Sequence, residues 1–327
     1  MTNWLGVDTH LPVWERKASE SMQNADFSEE HGPLWEKQPA GGEAPVPITT
    51  LPPSRNRQQA RRRAIVEYLV CALLAVCLSW NSAKASGQAS TRSAELIVAA
   101  AADLSAALKE VAAEYEKKSG VPVKLSFGAS GALTQQIQNG APFDVFFSAD
   151  MDYPRQLIAG GYANGNSPYQ YAVGKLVLWV PSDSILDVEH KGFNVLLNPS
   201  VKKISIANPE HAPYGRAAVA ALKHAGLYDQ VSSRLVLGEN VSQAAQFVES
   251  GNAQAGFVAL AHALAPGMQG KGRYWEVPAD YYPPLAQGVV VLSHSPHKKE
   301  AEDFLEYIKT PEAYKLLLKY GFSSSPK

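Results

Sequence analysis

Four short segments of this chain place small residues and polar side chains immediately before an amphipathic run. They are 101–105, 128–131, 213–216 and 239–242, with the sequences AADLS, GASG, PYGR and ENVS. At the start of a helix the first backbone N–H groups have no intrahelical acceptor, and the positive end of the helix dipole favours an anion. Four such starts brought together predict a cradle that binds a small oxyanion through uncharged donors.

Each segment taken alone is better explained as an ordinary helix cap, because Ser, Asp and Asn are favoured before helices, and only the combination of the four favours an anion site. Other chemistries have less support. The sequence contains no G-x-G-x-x-G or Walker motif for nucleotides, no G-x-S-x-G elbow and no H-E-x-x-H spacing. Asp144 and Asp150 flank a predicted strand and are interpreted as cap and turn residues rather than as an acid/base pair.

Short apolar strands alternate with amphipathic helices from Glu95 onward, which predicts an α/β fold with parallel strands. Strands are predicted at 96–101, 121–127, 144–147, 176–180, 204–207, 256–260 and 288–292. Helices are predicted at 104–118, 132–139, 216–224, 242–249, 298–309 and 311–319, with a further one through 156–157. Ligands of open α/β sheets bind beyond the C-terminal ends of the strands, so the four segments lie where a site is expected.

The α/β pattern restarts after the strand at 176–180 and resumes near 288–292. This predicts two lobes joined by two crossing strands, with 94–175 and 283–327 in lobe 1 and 176–282 in lobe 2. Such a connection suits hinge closure around a ligand. A single continuous sheet is the alternative.

The first 85 residues differ in composition from the remainder. Residues 1–63 are rich in Pro, Glu, Gln and Arg without apolar periodicity, which predicts a disordered extension or a start codon assigned too far upstream. Residues 64–85 follow three arginines with a short apolar run and end in Ala-Lys-Ala, which predicts a cleavable signal peptide and a periplasmic location. A membrane anchor and a lipoprotein at Cys77 are the less favoured alternatives.

Charge and cysteine content exclude several classes of function. The chain has 30 Lys and Arg against 31 Asp and Glu, whereas a nucleic-acid-binding protein needs a dense basic face. Cys71 and Cys77 both lie in the apolar run, so the mature chain has no disulfide, thiolate metal site or cysteine nucleophile. We predict no cofactor and expect a monomer.

Several stretches resemble the periplasmic molybdate-binding proteins of the ModA family, and the similarity runs from Glu95 to Phe322. The most specific are AAADLSAAL at 100–108, SFGASGALTQQIQNGAPFDVFFSAD at 126–150, NPEHAPYG at 208–215, GENVSQAAQFVESGNAQAGFV at 238–258 and KYGF at 319–322. The resemblance implies the type II periplasmic binding protein fold, capture of molybdate or tungstate, and delivery to an ABC permease.

The resemblance also assigns donors to the oxyanion. It implies that Ser130 offers its hydroxyl and N–H, and that Tyr214 and Val241 offer backbone N–H groups. In the first segment the N–H of Ala102 or Asp103 has this role. Gly131 is a further candidate.

Two positions depart from the family pattern. Asp103 stands where well-known members have a serine, and Ala259 replaces a tyrosine. Because an ionised carboxylate beside a dianion is unfavourable, we expect Asp103 to turn away as a helix cap. We expect the Tyr214 phenol to replace the missing hydroxyl, and Arg216 is a candidate to balance charge.

Alternatives remain within and outside the binding class. Selectivity for molybdate would come from cavity size and from donors without an acceptor, which reject protonated anions. Since sequence does not give the cavity size, another oxyanion such as sulfate is the alternative ligand. An enzyme would need a base beside Ser130, and no histidine partner is visible, so we predict a binding protein.

Overall fold

The computed structural model describes residues 95–323. Its strands are β1 Leu96–Ala101, β2 Val123–Gly128, β3 Val145–Ser148, β4 Tyr169–Gly174, β5 Leu176–Pro181, β6 Ile204–Ala207, β7 Leu235–Gly238, β8 Ala255–Ala259, β9 Gly272–Glu276 and β10 Leu285–Val291. Its α-helices are α1 Ala107–Ser119, α2 Ser130–Gln138, α3 Asp152–Ala159, α4 Val188–Lys191, α5 Pro213–His224, α6 Tyr228–Val231, α7 Val241–Glu249, α8 Leu260–Ala263, α9 Lys298–Ile308 and α10 Pro311–Lys319. Short 3-10 turns include Ala102–Leu104. The extension predicted at 1–63 and the signal peptide predicted at 64–85 lie outside the described residues.

The strands form two separate five-stranded sheets rather than one continuous sheet. The first has the order β2-β1-β3-β10-β4 and the second the order β7-β6-β8-β5-β9. Both are mixed, because β10 runs antiparallel to β3 and β4, and β5 runs antiparallel to β8 and β9. The α/β fold with two lobes is confirmed, whereas the expectation of parallel strands holds only for the other pairs in each sheet.

The chain passes between the sheets at two places that lie side by side. Strand β4 ends in the first sheet and β5 begins in the second, so the crossing takes place at Lys175. The return crossing is the segment 277–284, between β9 and β10. The N–H of Leu176 donates to the Tyr282 hydroxyl at 3.1 Å and joins the two crossings. The predicted crossing strands thus each belong wholly to one sheet, and the crossing lies just before each of them.

Each sheet is covered by helices on both faces, as β3 illustrates. Phe147 packs on one face against Tyr171 and Phe304, with ring centroids 5.3 and 5.9 Å apart. Its neighbour Phe146 belongs to a separate apolar cluster with Leu133 on the opposite face. Successive side chains of a strand point to opposite faces, so an unbroken apolar run marks a strand buried on both sides.

Helix starts are the main local difference between the predicted and observed elements. Strands at 96–101 and 204–207 match residue for residue. Helices α2, α5 and α7 begin one to three residues earlier than predicted, at Ser130, Pro213 and Val241. Proline is favoured in the first helical position, and the small residues that follow weaken the helical pattern in the sequence. Three of the four segments are therefore first turns of helices.

Within residues 95–323, no helix is long and apolar enough to cross a membrane.

Candidate functional site

A small cavity lies between the two sheets, beyond the C-terminal ends of β1, β2, β6 and β7. It comprises about 200 Å3 of space not occupied by protein atoms, part of which is open to solvent. All four segments contribute to its wall, which is formed by Ala101, Ala102, Asp103, Gly128, Ala129, Ser130, Ala149, Ala212, Pro213, Tyr214, Asn240 and Val241. The structure therefore brings together the five principal predicted site residues. No lysine or arginine is among these wall residues.

Ser130 is the first residue of α2 and is 1% exposed. Its Oγ accepts a hydrogen bond from the N–H of Ala149 at 3.0 Å. A hydroxyl carries one proton and two acceptor lone pairs, so this contact leaves the proton available to an acceptor in the cavity. The neighbouring backbone thus orients the Ser130 hydroxyl as a donor.

The N-terminus of α5 presents Tyr214 as its first backbone donor. Pro213 occupies the first position of the helix and has no N–H. The N–H groups of Gly215 and Arg216 already donate to the carbonyl of Ala212. The N–H of Tyr214 is therefore the donor that this helix start offers to an anion.

At the start of α7, a side chain selects which N–H remains for the cavity. Asn240 caps the helix by accepting from the N–H groups of Ser242 and Gln243 at 3.0 and 3.1 Å. Val241, the first residue of the helix, receives no such cap and lines the cavity. This arrangement leaves the Val241 N–H as the donor of the fourth segment.

Asp103 does not act as the helix cap expected from the sequence. The turn Ala102–Leu104 has no side-chain cap, and the carboxyl of Asp103 accepts instead from Gln287 Nε2 at 2.5 Å. The Asp103 side chain is buried beside Gln287 and Tyr214 and lines the cavity, so it does not turn away from the ligand position as expected. A carboxyl that capped a helix at the surface would be solvated by water. For the buried Asp103, the hydrogen bond from Gln287 of β10 takes the place of that water.

Burial raises the pKa of Asp103 from 3.8 to about 6. Hydrogen bonds from Gln287 and Tyr214 oppose the rise in pKa, because they favour the charged form. The pKa values of Tyr214 and Tyr171 both lie well above 10, mainly because these phenols are buried and also because Asp103 is near. At neutral pH both phenols are protonated and can donate hydrogen bonds. Asp103 is the group in this cluster whose charge changes near pH 6.

The Tyr214 phenol is directed at the hinge side of the cavity. Its hydroxyl accepts from Gln287 Nε2 at 3.4 Å, and a methyl group added to Gly174 would collide with it. Gly174 is the last residue of β4, directly before the first crossing. We had expected the Tyr214 hydroxyl to replace the tyrosine that is missing at Ala259. It is instead hydrogen-bonded to Gln287 and Asp103. Ala259 itself is buried at the end of β8 and does not line the cavity.

Two other candidate residues make contacts between the lobes instead of facing the cavity. The N–H of Gly131 donates to the carbonyl of His211 at 2.9 Å, so it is already used. Arg216 does not turn inward to balance charge. Its guanidinium pairs with Asp150 at 2.5 Å and lies 5.4 Å from the centre of the Tyr153 ring.

We expect Arg216→Gln to weaken ligand binding no more than about fivefold, because a partly exposed ion pair contributes about 0.2–1 kcal/mol. The Arg216 side chain is 43% exposed and joins α5 to Asp150 before α3. The loss should shrink as salt is raised. Arg155→Gln, which removes the exposed pair with Asp152 inside one lobe, is the matched control and should leave the affinity unchanged. A hundredfold loss in Arg216→Gln would place the guanidinium in the binding site.

Gln287, which lies behind the site next to the crossings between the sheets, was not among the residues predicted from the sequence. This side chain is fully buried, donates to Asp103, and accepts from the Tyr171 hydroxyl at 2.6 Å. The available signal was a single amide inside the apolar strand LAQGVVV. A buried polar group in such a strand requires partners.

Among residues 95–323, no group of three or more His, Cys, Asp or Glu side chains is placed to hold a metal ion.

Comparison with known proteins identifies the family to which this chain is similar. Residues 96–323 match the family described as bacterial extracellular solute-binding protein. The molybdate-binding protein ModA of Azotobacter vinelandii is 42% identical over 231 residues, covering 71% of this chain and 90% of the relative. ModA of Rhodobacter capsulatus is 40% identical over 228 residues, covering 70% and 88%.

Solved structures give the same relationship. The periplasmic molybdate-binding protein of Azotobacter vinelandii superimposes with a TM-score of 0.67 at 38% identity, covering 71% of this chain and all of that one. The chain therefore belongs to the bacterial extracellular solute-binding proteins and, within them, to the same family as the ModA proteins.

Proposed function

We propose that the protein captures molybdate or tungstate outside the cytoplasm and delivers it to an ABC permease. The observation that carries the proposal is the meeting of three helix starts, at Ser130, Tyr214 and Val241, in one cavity whose wall has no lysine or arginine. The names of the relatives support the same ligand, since two of them are molybdate-binding proteins at 40% identity or more. The predicted signal segment supports export to the periplasm.

Neutral donors at helix starts suit a tetrahedral dianion for a physical reason. Each N–H is fixed by its helix, so little reorganisation is needed when the ligand enters. Donors come from both lobes, with Ser130 in the first and Tyr214 and Val241 in the second. Binding energy is therefore available to hold the lobes together around the ligand.

Contacts between the lobes surround the cavity and support a clamp mechanism. Besides the Arg216 pair and the Gly131 N–H, the Ser242 hydroxyl of α7 lies 3.1 Å from the carbonyl of Ala102. The two crossings at Lys175 and 277–284 are the short connections about which the lobes would rotate. Release to a permease would follow reopening at these crossings.

We infer that the site binds without catalysis. The Ser130 hydroxyl is 3.0 Å from a backbone N–H, whereas nucleophilic catalysis requires a base at that distance. Ser242 does lie 2.6 Å from His262 Nε2, but His262 Nδ1 has no hydrogen-bond partner within the described residues, and burial lowers the pKa of this histidine to about 4. The contact with Ala102 assigns Ser242 to the junction between the lobes.

Calorimetric titration with molybdate, tungstate, sulfate and phosphate tests the proposal. We expect molybdate and tungstate to bind at least about a hundredfold more tightly than sulfate, a difference of roughly 2.7 kcal/mol. Tight binding of sulfate alone, or of none of the four anions, would contradict the assignment of the ligand.

A further inference from the structure

One carboxyl group stands in the wall of a cavity that otherwise offers donors. Asp103 is 1% exposed, and its Oδ2 accepts from Gln287 Nε2 at 2.5 Å. Its Oδ1 is also buried and has no hydrogen-bond partner within residues 95–323. A buried polar atom without a partner is rare in proteins and calls for an explanation. Since Asp103 lines the cavity, Oδ1 is the carboxyl oxygen left for a bound molecule.

Among residues 95–323, no lysine or arginine lines the cavity beside Asp103 to compensate a negative charge. Tyr171 of β4 and Tyr214 of α5 are neutral phenols, because burial holds the pKa of each well above 10. His262 of α8, which reaches this turn through Ser242, is neutral because burial lowers its pKa to about 4. On the other elements packed against the turn, Lys109, Lys124 and Glu249 are exposed, whereas α1 also carries the half-buried Glu110, Glu114 and Glu116 and the buried Tyr115.

An ionised Asp103 and a bound dianion would therefore repel each other across a partly dry site. Oδ1 of Asp103 and the ligand oxygen that faces it are both acceptors, so no hydrogen bond could form between them. A single proton between them removes both problems, because the carboxylic acid becomes a donor to the ligand while Oδ2 still accepts from Gln287. The orphaned position of Oδ1 is explained by this bond.

We propose that Asp103 and the bound oxyanion share one proton, so that the protein takes up a proton from solvent when it binds a fully deprotonated dianion. This inference rests on the proposed function and extends it. The step combines one carboxylate, one dianion and one proton: an acid in the solvent gives up the proton, and an O–H bond forms on Asp103, while no bond of the oxyanion is broken. The cavity is consequently not a set of donors alone, as the sequence had suggested. The one carboxyl among its wall residues becomes a donor when it is protonated.

Proton uptake makes the affinity depend on pH in a defined direction. The free carboxyl loses its proton near pH 6, the pKa that burial gives it. Above that value each bound dianion must bring a proton with it, so the affinity should fall by close to tenfold per pH unit, from about pH 6.5 to about pH 8. Below about pH 5 the carboxyl is already protonated, and the affinity should level off.

The test is calorimetric titration of the full chain with sodium molybdate across this pH range, in buffers of different ionisation enthalpy. We expect uptake of about one proton per molybdate near pH 7.5 and almost none near pH 5. Asp103→Asn keeps an acceptor for Gln287 and places an amide donor at the position of Oδ1, so it should bind with a flat pH profile and no uptake. Tyr171→Phe removes a neighbouring phenol and should keep the uptake.

Binding of molybdate by the unaltered protein without proton uptake would overturn the inference and leave the proposed function intact. An Asp103→Asn protein that retains the same pH dependence would also overturn it. If Asp103→Asn does not fold, the uptake measured on the unaltered protein decides the question. Absence of molybdate binding at every pH would overturn both the inference and the function on which it rests.

Discussion

Val241→Pro should weaken molybdate binding by roughly ten- to a hundredfold while leaving the fold intact. Proline removes the N–H at the first position of α7, where its ring suits the helix, and a hydrogen bond to a charged group is worth about 1.5–3 kcal/mol. The preceding Asn240 already has the extended backbone that proline requires, with φ −144° and ψ 177°. Calorimetric titration measures the loss, and circular dichroism checks the fold.

Val241→Ala is the matched control for this prediction. It removes part of the same buried side chain but keeps the backbone N–H. We expect its affinity to stay within a few-fold of the unaltered protein. Equal losses in the two variants would mean that the side chain of Val241, and not its N–H, contributes to binding.

Ser130→Ala should lower both the affinity and the stability. The ligand loses a hydroxyl donor, which costs roughly ten- to a hundredfold in affinity, and the buried N–H of Ala149 loses its acceptor, which costs about 1–3 kcal/mol of the free energy of unfolding. Titration with molybdate and urea denaturation measure the two effects separately.

Thr134→Val separates these two effects within the same helix. The Thr134 hydroxyl is buried one turn further along α2 and donates to the carbonyl of Ser130 at 2.8 Å, but it does not line the cavity. Its loss should lower stability and leave the affinity nearly unchanged. If Ser130→Ala and Thr134→Val bound molybdate with the same affinity, Ser130 would not be a donor to the ligand.

The sequence predicted much of the fold because its strands are buried on both faces. Runs such as VFFS in β3 are apolar throughout, and turn residues bound them clearly. Strands β4, β7 and β9 were missed, and their exposed or half-exposed residues explain why, since the apolar signal there is diluted. The sequence prediction placed the two crossings within β5 and β10, whereas they lie just before these strands. Strand patterning does not show at which residue a chain passes from one sheet to the other.

The helix starts that line the cavity were predictable, whereas the contacts behind them were not. Small residues and caps mark these starts in the sequence, the family resemblance pointed to Ser130, Tyr214 and Val241 within them, and the three residues line one cavity. The position of Asp103 depends on Gln287, which is 184 residues away along the chain and belongs to a strand returning from the other lobe. A pairing of this kind depends on the tertiary fold, so a local pattern carries no sign of it.

The most direct test of oxyanion capture in this cavity is crystallisation of the protein with sodium tungstate and location of tungsten by its anomalous scattering. We expect one strong peak in the cavity, with oxygens within hydrogen-bond distance of the Ser130 hydroxyl and of the N–H groups of Tyr214 and Val241, about 2.7–3.2 Å. A peak only on the protein surface, or none at saturating tungstate, would contradict it.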